Sequence, residues 1–184
     1  MTVDVTERLL LREWRDTPED LRRLYDLYSR EDVMRWLGGG AGRLTEPDQA
    51  APRLAAWRER YAPYAGRYGL WAIEVRGTGV VAGSVLLKPL PGADGLTPTD
   101  DIEVGWHLHP DSWGRGYATE AARAVLSREF ATGTERVYAV VMPGNERSTA
   151  VCRRLGMTHL GRRTDWYGGT EVETFVLTPH ELST

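Results

Sequence analysis

The chain has 184 residues, of which 41% are hydrophobic and 27% charged, with a formal net charge of −3. That size and balance describe one folded domain over residues 1–184 with a full hydrophobic core. No apolar run approaches the ~20 residues of a membrane span, the acidic balance offers no footprint for nucleic acid, and the single cysteine, Cys152, permits neither an intrachain disulfide nor a cysteine-rich zinc site, so no metal is expected. Residues 1–15 carry acids and no apolar signal segment, which makes the cytoplasm the expected location.

In chain order, Leu9–Trp14 reads as a first strand. Thr17 is an N-cap before Pro18-Glu19-Asp20, and Leu21, Leu24, Leu27 and Tyr28 give the following helix one apolar face. A short helix is expected over Glu31–Leu37, stopped by Gly38–Gly40. Pro47 stands in the first turn of another helix that runs to about Tyr61. Trp71–Val75 and Val80–Lys88 form a hairpin around Gly77-Thr78-Gly79. Pro89–Asp100, rich in Pro, Gly and Asp, reads as a loop. A strand over Asp101–His109, a helix from Gly116 to Phe130, a strand over Val137–Met142 and a helix over Ser148–Leu155 follow. Two last strands, Thr158–Thr164 and Thr170–Thr178, meet at Tyr167-Gly168-Gly169. This order predicts an α/β fold: a mixed, mostly antiparallel sheet of about seven strands with helices packed on it.

The chemistry concentrates between Ile102 and Ala121. A strand ends at Pro110, and a loop containing Gly114 and Gly116 enters an alanine-rich helix. Glycines allow close approach of a ligand to the backbone, and the free N–H groups of a helix start attract anions. Arg115 is a candidate extra cation. The pattern is neither a Walker A loop nor a Rossmann turn, and by itself it is equally a strand-to-helix connection without a ligand.

Trp113-Gly114-Arg115-Gly116-Tyr117-Ala118-Thr119-Glu120-Ala121 resembles the acetyl-CoA-binding motif of the GNAT acetyltransferase superfamily, Arg/Gln-x-x-Gly-x-Gly/Ala. Gly116 and Ala118 fill its last two defined positions, and Trp113 replaces the usual Arg or Gln, as in the RimJ/RimL-like branch. Glu7–Arg12, Asn145–Ser148 and Arg154–Met157 also resemble that branch, and the likeness spans roughly Glu7 to Leu177.

The resemblance implies a GNAT fold with helices on both faces, splayed between the strands ending near Leu108 and Met142. It implies acetyl-CoA as cosubstrate, its pantetheine arm against the backbone of Trp106, His107 and Leu108 in the manner of an added strand. The diphosphate would sit on the amides of Trp113, Gly114, Arg115, Gly116, Tyr117, Ala118 and Thr119, with Asn145 on the arm. A backbone N–H near Leu108 would steady the oxyanion.

An amine acceptor must lose a proton before it attacks, since alkylammonium groups titrate near ~10. Alternation puts Ile102, Val104, Trp106 and Leu108 on one face and Asp101, Glu103, Gly105, His107 and His109 on the other. A bulge near the site would break that parity. Glu103 is the first candidate base, its alternative reading being a solvated or salt-bridged strand carboxylate. His107 is the second. The family's tyrosine acid is replaced by Cys152, which leaves Ser148 as the candidate partner of the leaving sulfur and also of a helix cap. Trp36, Gly38–Gly40, Tyr64, Tyr68, the Pro89–Asp100 loop and Trp166-Tyr167 are candidates for the acceptor pocket. Asp94, Asp100, Asp101 and Glu103 are candidate attractors of a cationic amine. The acceptor is a small-molecule amine or a protein N-terminus, and the protein a monomer or homodimer. The alternative function is a catalytically silent acyl-CoA sensor or interaction module.

Overall fold

The computed structural model describes residues 1–182. Among these residues eight strands are present: β1 (Thr2–Val5), β2 (Leu9–Arg12), β3 (Gly69–Val75), β4 (Val81–Pro91), β5 (Pro98–Leu108), β6 (Val137–Val141), β7 (Thr158–Arg163) and β8 (Val172–Leu177). They form one sheet in the order β1-β2-β3-β4-β5-β6-β8-β7. Every neighbouring pair is antiparallel except β5 with β6. The strand beyond the expected seven is β1, four residues too short to show a period in the sequence.

The helices are α1 (Pro18–Tyr28), α2 (Glu31–Met34), α3 (Ala50–Tyr61), α4 (Tyr117–Phe130), α5 (Glu146–Arg154) and α6 (Pro179–Leu182). None of the described helices is long and apolar enough to cross a membrane. Thr17 caps α1, accepting from the amide of Asp20. The second helix ends at Met34 rather than Leu37, because the chain turns there into Gly38, Gly39 and Gly40, all at positive φ. The third helix is preceded by a 3₁₀ turn at Pro47–Gln49, with Glu46 and Gln49 forming a reciprocal capping box.

The expected loop at Pro89–Asp100 shrinks to residues 92–97, because β4 and β5 extend into it. Leu90 is fully buried with Tyr138 and Trp166 and carries β4 onward. Proline is tolerated at 89 for a topological reason. The β3·β4 ladder ends at the Gly69–Leu87 pair, so the Pro89 nitrogen faces a side where no strand remains to bond.

Two apolar layers sandwich the sheet. On one face Ala121, Ala122, Val125 and Leu126 of α4, with Val151, Cys152 and Leu155 of α5, pack on Leu9, Ile73, Val85, Ile102 and Val104. On the other, Leu24, Leu27 and Tyr28 of α1, Val33 and Met34 of α2 and Leu54 of α3 cover Ala72, Val81 and Trp14. Buried Arg12 fastens α1 to this face. Its guanidinium donates to both carboxylate oxygens of Asp20, at 2.6 and 2.9 Å, and to Glu74 of β3.

The β4·β5 ladder is continuous from Ile102 to Leu108, so no bulge interrupts the expected parity. Ile102, Val104, Trp106 and Leu108 face α4, and Glu103 and His107 face α1–α3. The irregularity lies instead in β4, between the Ile73–Gly83 and Glu74–Val81 pairs. Gly83 sits there at φ 155°, and an added Cβ would lie 2.1 Å from the His107 carbonyl oxygen, so no side chain fits.

Candidate active site

The parallel neighbours β5 and β6 meet at a single pair, Glu103 with Tyr138. Beyond it they diverge. The amide of His109 donates to the Ala82 carbonyl at 2.9 Å. Bonded and non-bonded pairs alternate in an antiparallel ladder, so the amides of Trp106 and Leu108 point the other way, into the gap. A cleft of about 1050 Å³ opens there, between the N-terminal ends of α4 and α5 and the face covered by α1–α3.

The α4 end of the cleft is built for an anion. Gly116 is the N-cap of α4 at φ 79°, and Gly114 stands at φ 73° with nothing within 4 Å of where a Cβ would stand. Both left-handed residues hold the loop open so that the first-turn amides stay unbonded. Thr119, in that first turn, has a buried hydroxyl with no hydrogen-bond partner among the described residues. A buried polar atom without a partner is rare, and this one lies on the cleft wall. Glycine cradle, open amides and orphan hydroxyl fit a diphosphate-bearing ligand of the acetyl-CoA type. Trp113, standing where the motif usually has Arg or Gln, acts as a clasp. Its indole N–H donates to the Leu108 carbonyl at 2.8 Å, tying the loop to the end of β5, and the Arg147 guanidinium lies 4.0 Å from its ring centre. At α5, Asn145 is the N-cap and accepts from the Ser148 amide at 3.3 Å. Ser148 is therefore the third helical residue and not the first, with its own hydroxyl free of the cap.

Two acceptor groups stand on the α1–α3 face. Glu103 is 6% exposed. Lys88 Nζ lies 2.8 Å from its Oε2, and the Tyr167 hydroxyl donates to the same oxygen. Lys88 Nζ also donates to Tyr167 at 2.7 Å. Burial, with Glu103 adding to it, pushes the Tyr167 hydroxyl far above its usual range, so it stays protonated as a donor. Four residues beyond Glu103, His107 Nδ1 lies 3.1 Å from the Tyr28 hydroxyl. Tyr28 in turn donates to Ser84 at 2.8 Å, and the indole of Trp14 donates to the same oxygen at 3.1 Å. This direction makes Nδ1 the protonated nitrogen of His107 and leaves Nε2 as an acceptor. Burial first, then the Lys88 charge, lowers the His107 pKa to about 4, so its ring is neutral at pH 7.

Of the residues expected at the site, Glu103, Trp106, His107, Leu108, Trp113, Gly114, Gly116, Tyr117, Ala118, Thr119, Asn145 and Ser148 all line this one cleft. Arg115 does not. Bracketed by two left-handed glycines, it is turned onto the Asp111 carbonyl at 3.2 Å. Cys152 is buried in the core, its thiol pushed up by burial to about 12. Trp36, Gly38 and Tyr167 reach the cleft, and no residue from 89 to 100 does. Tyr64 and Tyr68 meet edge to face, ring centres 5.2 Å apart, and Tyr68 also bonds Glu129. Trp166 is buried, bonded to Asp101, and Asp94 is turned onto the amides of Leu96 and Thr97. Sequence reasoning missed Lys88, Tyr28 and Ser84. The one signal was that Lys88 is the sole lysine in the chain.

Comparisons with known proteins point to one family. The family model described as an acetyltransferase (GNAT) domain matches residues 8–158. The chain is 28% identical over 174 residues to the uncharacterized N-acetyltransferase YoaA of Bacillus subtilis (strain 168), covering 93% of this chain and 92% of that one. A GNAT-family acetyltransferase from Bacillus anthracis superposes with TM-score 0.74 at 20% identity, covering 97% and 98% of the two chains. RimL, a ribosomal L7/L12 alpha-N-protein acetyltransferase solved in complex with coenzyme A, superposes with TM-score 0.74 at 15% identity and the same coverages.

Proposed function

The chain belongs to the GNAT acetyltransferase family, and we propose that it moves the acetyl group of acetyl-CoA directly onto a primary amine, either of a small molecule or at a protein N-terminus. One observation carries the reading. The free amide edge of Trp106–Leu108 and the side chains of Glu103 and His107 belong to one strand end and open into one cleft.

Bound acetyl-CoA supplies an activated thioester. The first-turn amides of α4, with the Thr119 hydroxyl, hold its diphosphate. The amides of Trp106 and Leu108 extend β5 along the pantetheine arm and supply a donor to carbonyl oxygen charge. Glu103 takes the proton of the amine, directly or through water. His107, neutral, is a second acceptor on the same face. The Ser148 hydroxyl donates to the departing sulfur. A covalent relay is not needed, and Cys152 is too deep and too weakly acidic for one.

Calorimetric titration with acetyl-CoA tests the first half of this reading. Thiol release with a panel of spermidine, tyramine, an aminoglycoside and an unblocked tripeptide tests the second. Micromolar binding with amine-dependent thiol release is the expected outcome. Binding without release for any amine would favour the silent sensor, and no binding would overturn both.

A further inference from the structure

Glu103 and Lys88 are direct partners across the β4·β5 ladder, so their side chains leave the sheet side by side on the α1–α3 face. The Lys88 ammonium and the Tyr167 hydroxyl both fall on Glu103 Oε2 and bond each other, closing a ring of three contacts. Oε1 takes part in none of them. Thr119 Oγ1 is the sole buried side-chain polar atom without a partner among the described residues. Oε1 is therefore open to the cleft that Glu103 lines.

We propose that Lys88 is a positioning residue: with Tyr167 it pins Glu103 by Oε2 and presents Oε1 alone to the incoming amine. The inference rests on the function proposed above. The groups facing Glu103 are Lys88 from β4, Tyr167 from the turn at Tyr167–Gly169 and Tyr61 from α3, with His107 four residues further along the same face of β5. Of these only Lys88 brings a charge. A cation beside a carboxylate favours its ionised form, and the same cation disfavours protonation of a nearby imidazole. The same ammonium adds to burial in keeping the His107 ring neutral.

A mutant cycle tests this with Lys88→Met, Glu103→Gln, the double variant and Tyr167→Phe. Acetyl-CoA affinity, kcat and KM are measured with the panel amine that the wild type turns over fastest. Lys88→Met should lower kcat by roughly 10- to 100-fold, the range of general-base effects, with acetyl-CoA affinity unchanged within twofold. Tyr167→Phe should lower kcat less, because it removes a hydrogen bond and no charge. In the Glu103→Gln background, Lys88→Met should cost nothing further. The double variant has neither buried charge, so it keeps the cycle readable where Lys88→Met alone folds poorly. In the free protein, the NMR titration midpoint of the His107 ring should rise in Lys88→Met, a readout that needs no acceptor. Independent, multiplicative losses in the double variant, or an unmoved His107 midpoint, would overturn the proposal. Full turnover by Glu103→Gln would instead remove Glu103 as base and the proposal with it.

Discussion

Replacing Thr119 by valine separates what the hydroxyl does for the fold from what it does for the ligand. The side chain sits in the first turn of α4, its oxygen buried and without a partner among the described residues. A buried hydroxyl left unsatisfied costs about 1–3 kcal/mol. Valine has nearly the same shape, and its helix propensity is close to that of threonine. The free Thr119→Val protein should therefore be more stable by about 1 kcal/mol, which for a chain of this length raises Tm by about 2–4 °C. With the donor bound, the balance reverses. A hydrogen bond to a charged phosphate oxygen contributes about 1.5–3 kcal/mol, so acetyl-CoA should bind the variant about 10- to 100-fold more weakly. Thermal unfolding of the free protein and calorimetry with acetyl-CoA read the two effects. A lower Tm with unchanged affinity would mean that the hydroxyl is structural, and the diphosphate assignment at α4 would lose its most specific support.

Arg12→Met should be among the most damaging substitutions away from the cleft, because it strands Asp20 and Glu74; the expected loss is about 3–5 kcal/mol, read from urea unfolding, and a change below about 1 kcal/mol would refute it. Gly83→Ala should push β5 away at His107 and weaken acetyl-CoA binding along with stability, since its Cβ would meet backbone 2.1 Å away; wild-type values for both would show that the strands yield easily. His107 predicts an acid-sensitive fold. Its ordinary value is 6.5 and its folded value is held by burial, and then by Lys88, at about 4. Between these the unfolded chain binds the extra proton, so stability is present above pH 6.5 and is lost as pH falls toward 4, by at most about 1.4 kcal/mol per pH unit. Urea midpoints at several pH values should flatten in His107→Gln, and an unchanged slope would point to another group.

The parts of the site made from backbone were readable in the sequence. Gly114 and Gly116 mark a loop that must hold its amides open, and alternation from Ile102 to Leu108 sorted the β5 side chains correctly between the two faces. The parts made from pairing across the fold were not. Lys88 meets Glu103 through strand register, and Tyr167 meets both through a turn 64 residues beyond Glu103. Nothing local to any of the three announces the contact. The segment from Pro89 to Asp100 misled because its composition is that of a turn, whereas Pro89 sits where a strand has lost its neighbour. Arg115 offered charge and position for an anion, and the fold turns its side chain onto the Asp111 carbonyl, a contact that nothing in the local sequence announces.

The lone Glu103–Tyr138 pair also has a mechanical meaning. The backbone network treats β1–β5 and β6–β8 as two plates sharing one rung. A donor lying between the plates does not fill a finished socket. On the function proposed above, it would supply along β5 rungs that the chain omits, so the join between the plates would be tighter with the donor bound than without it.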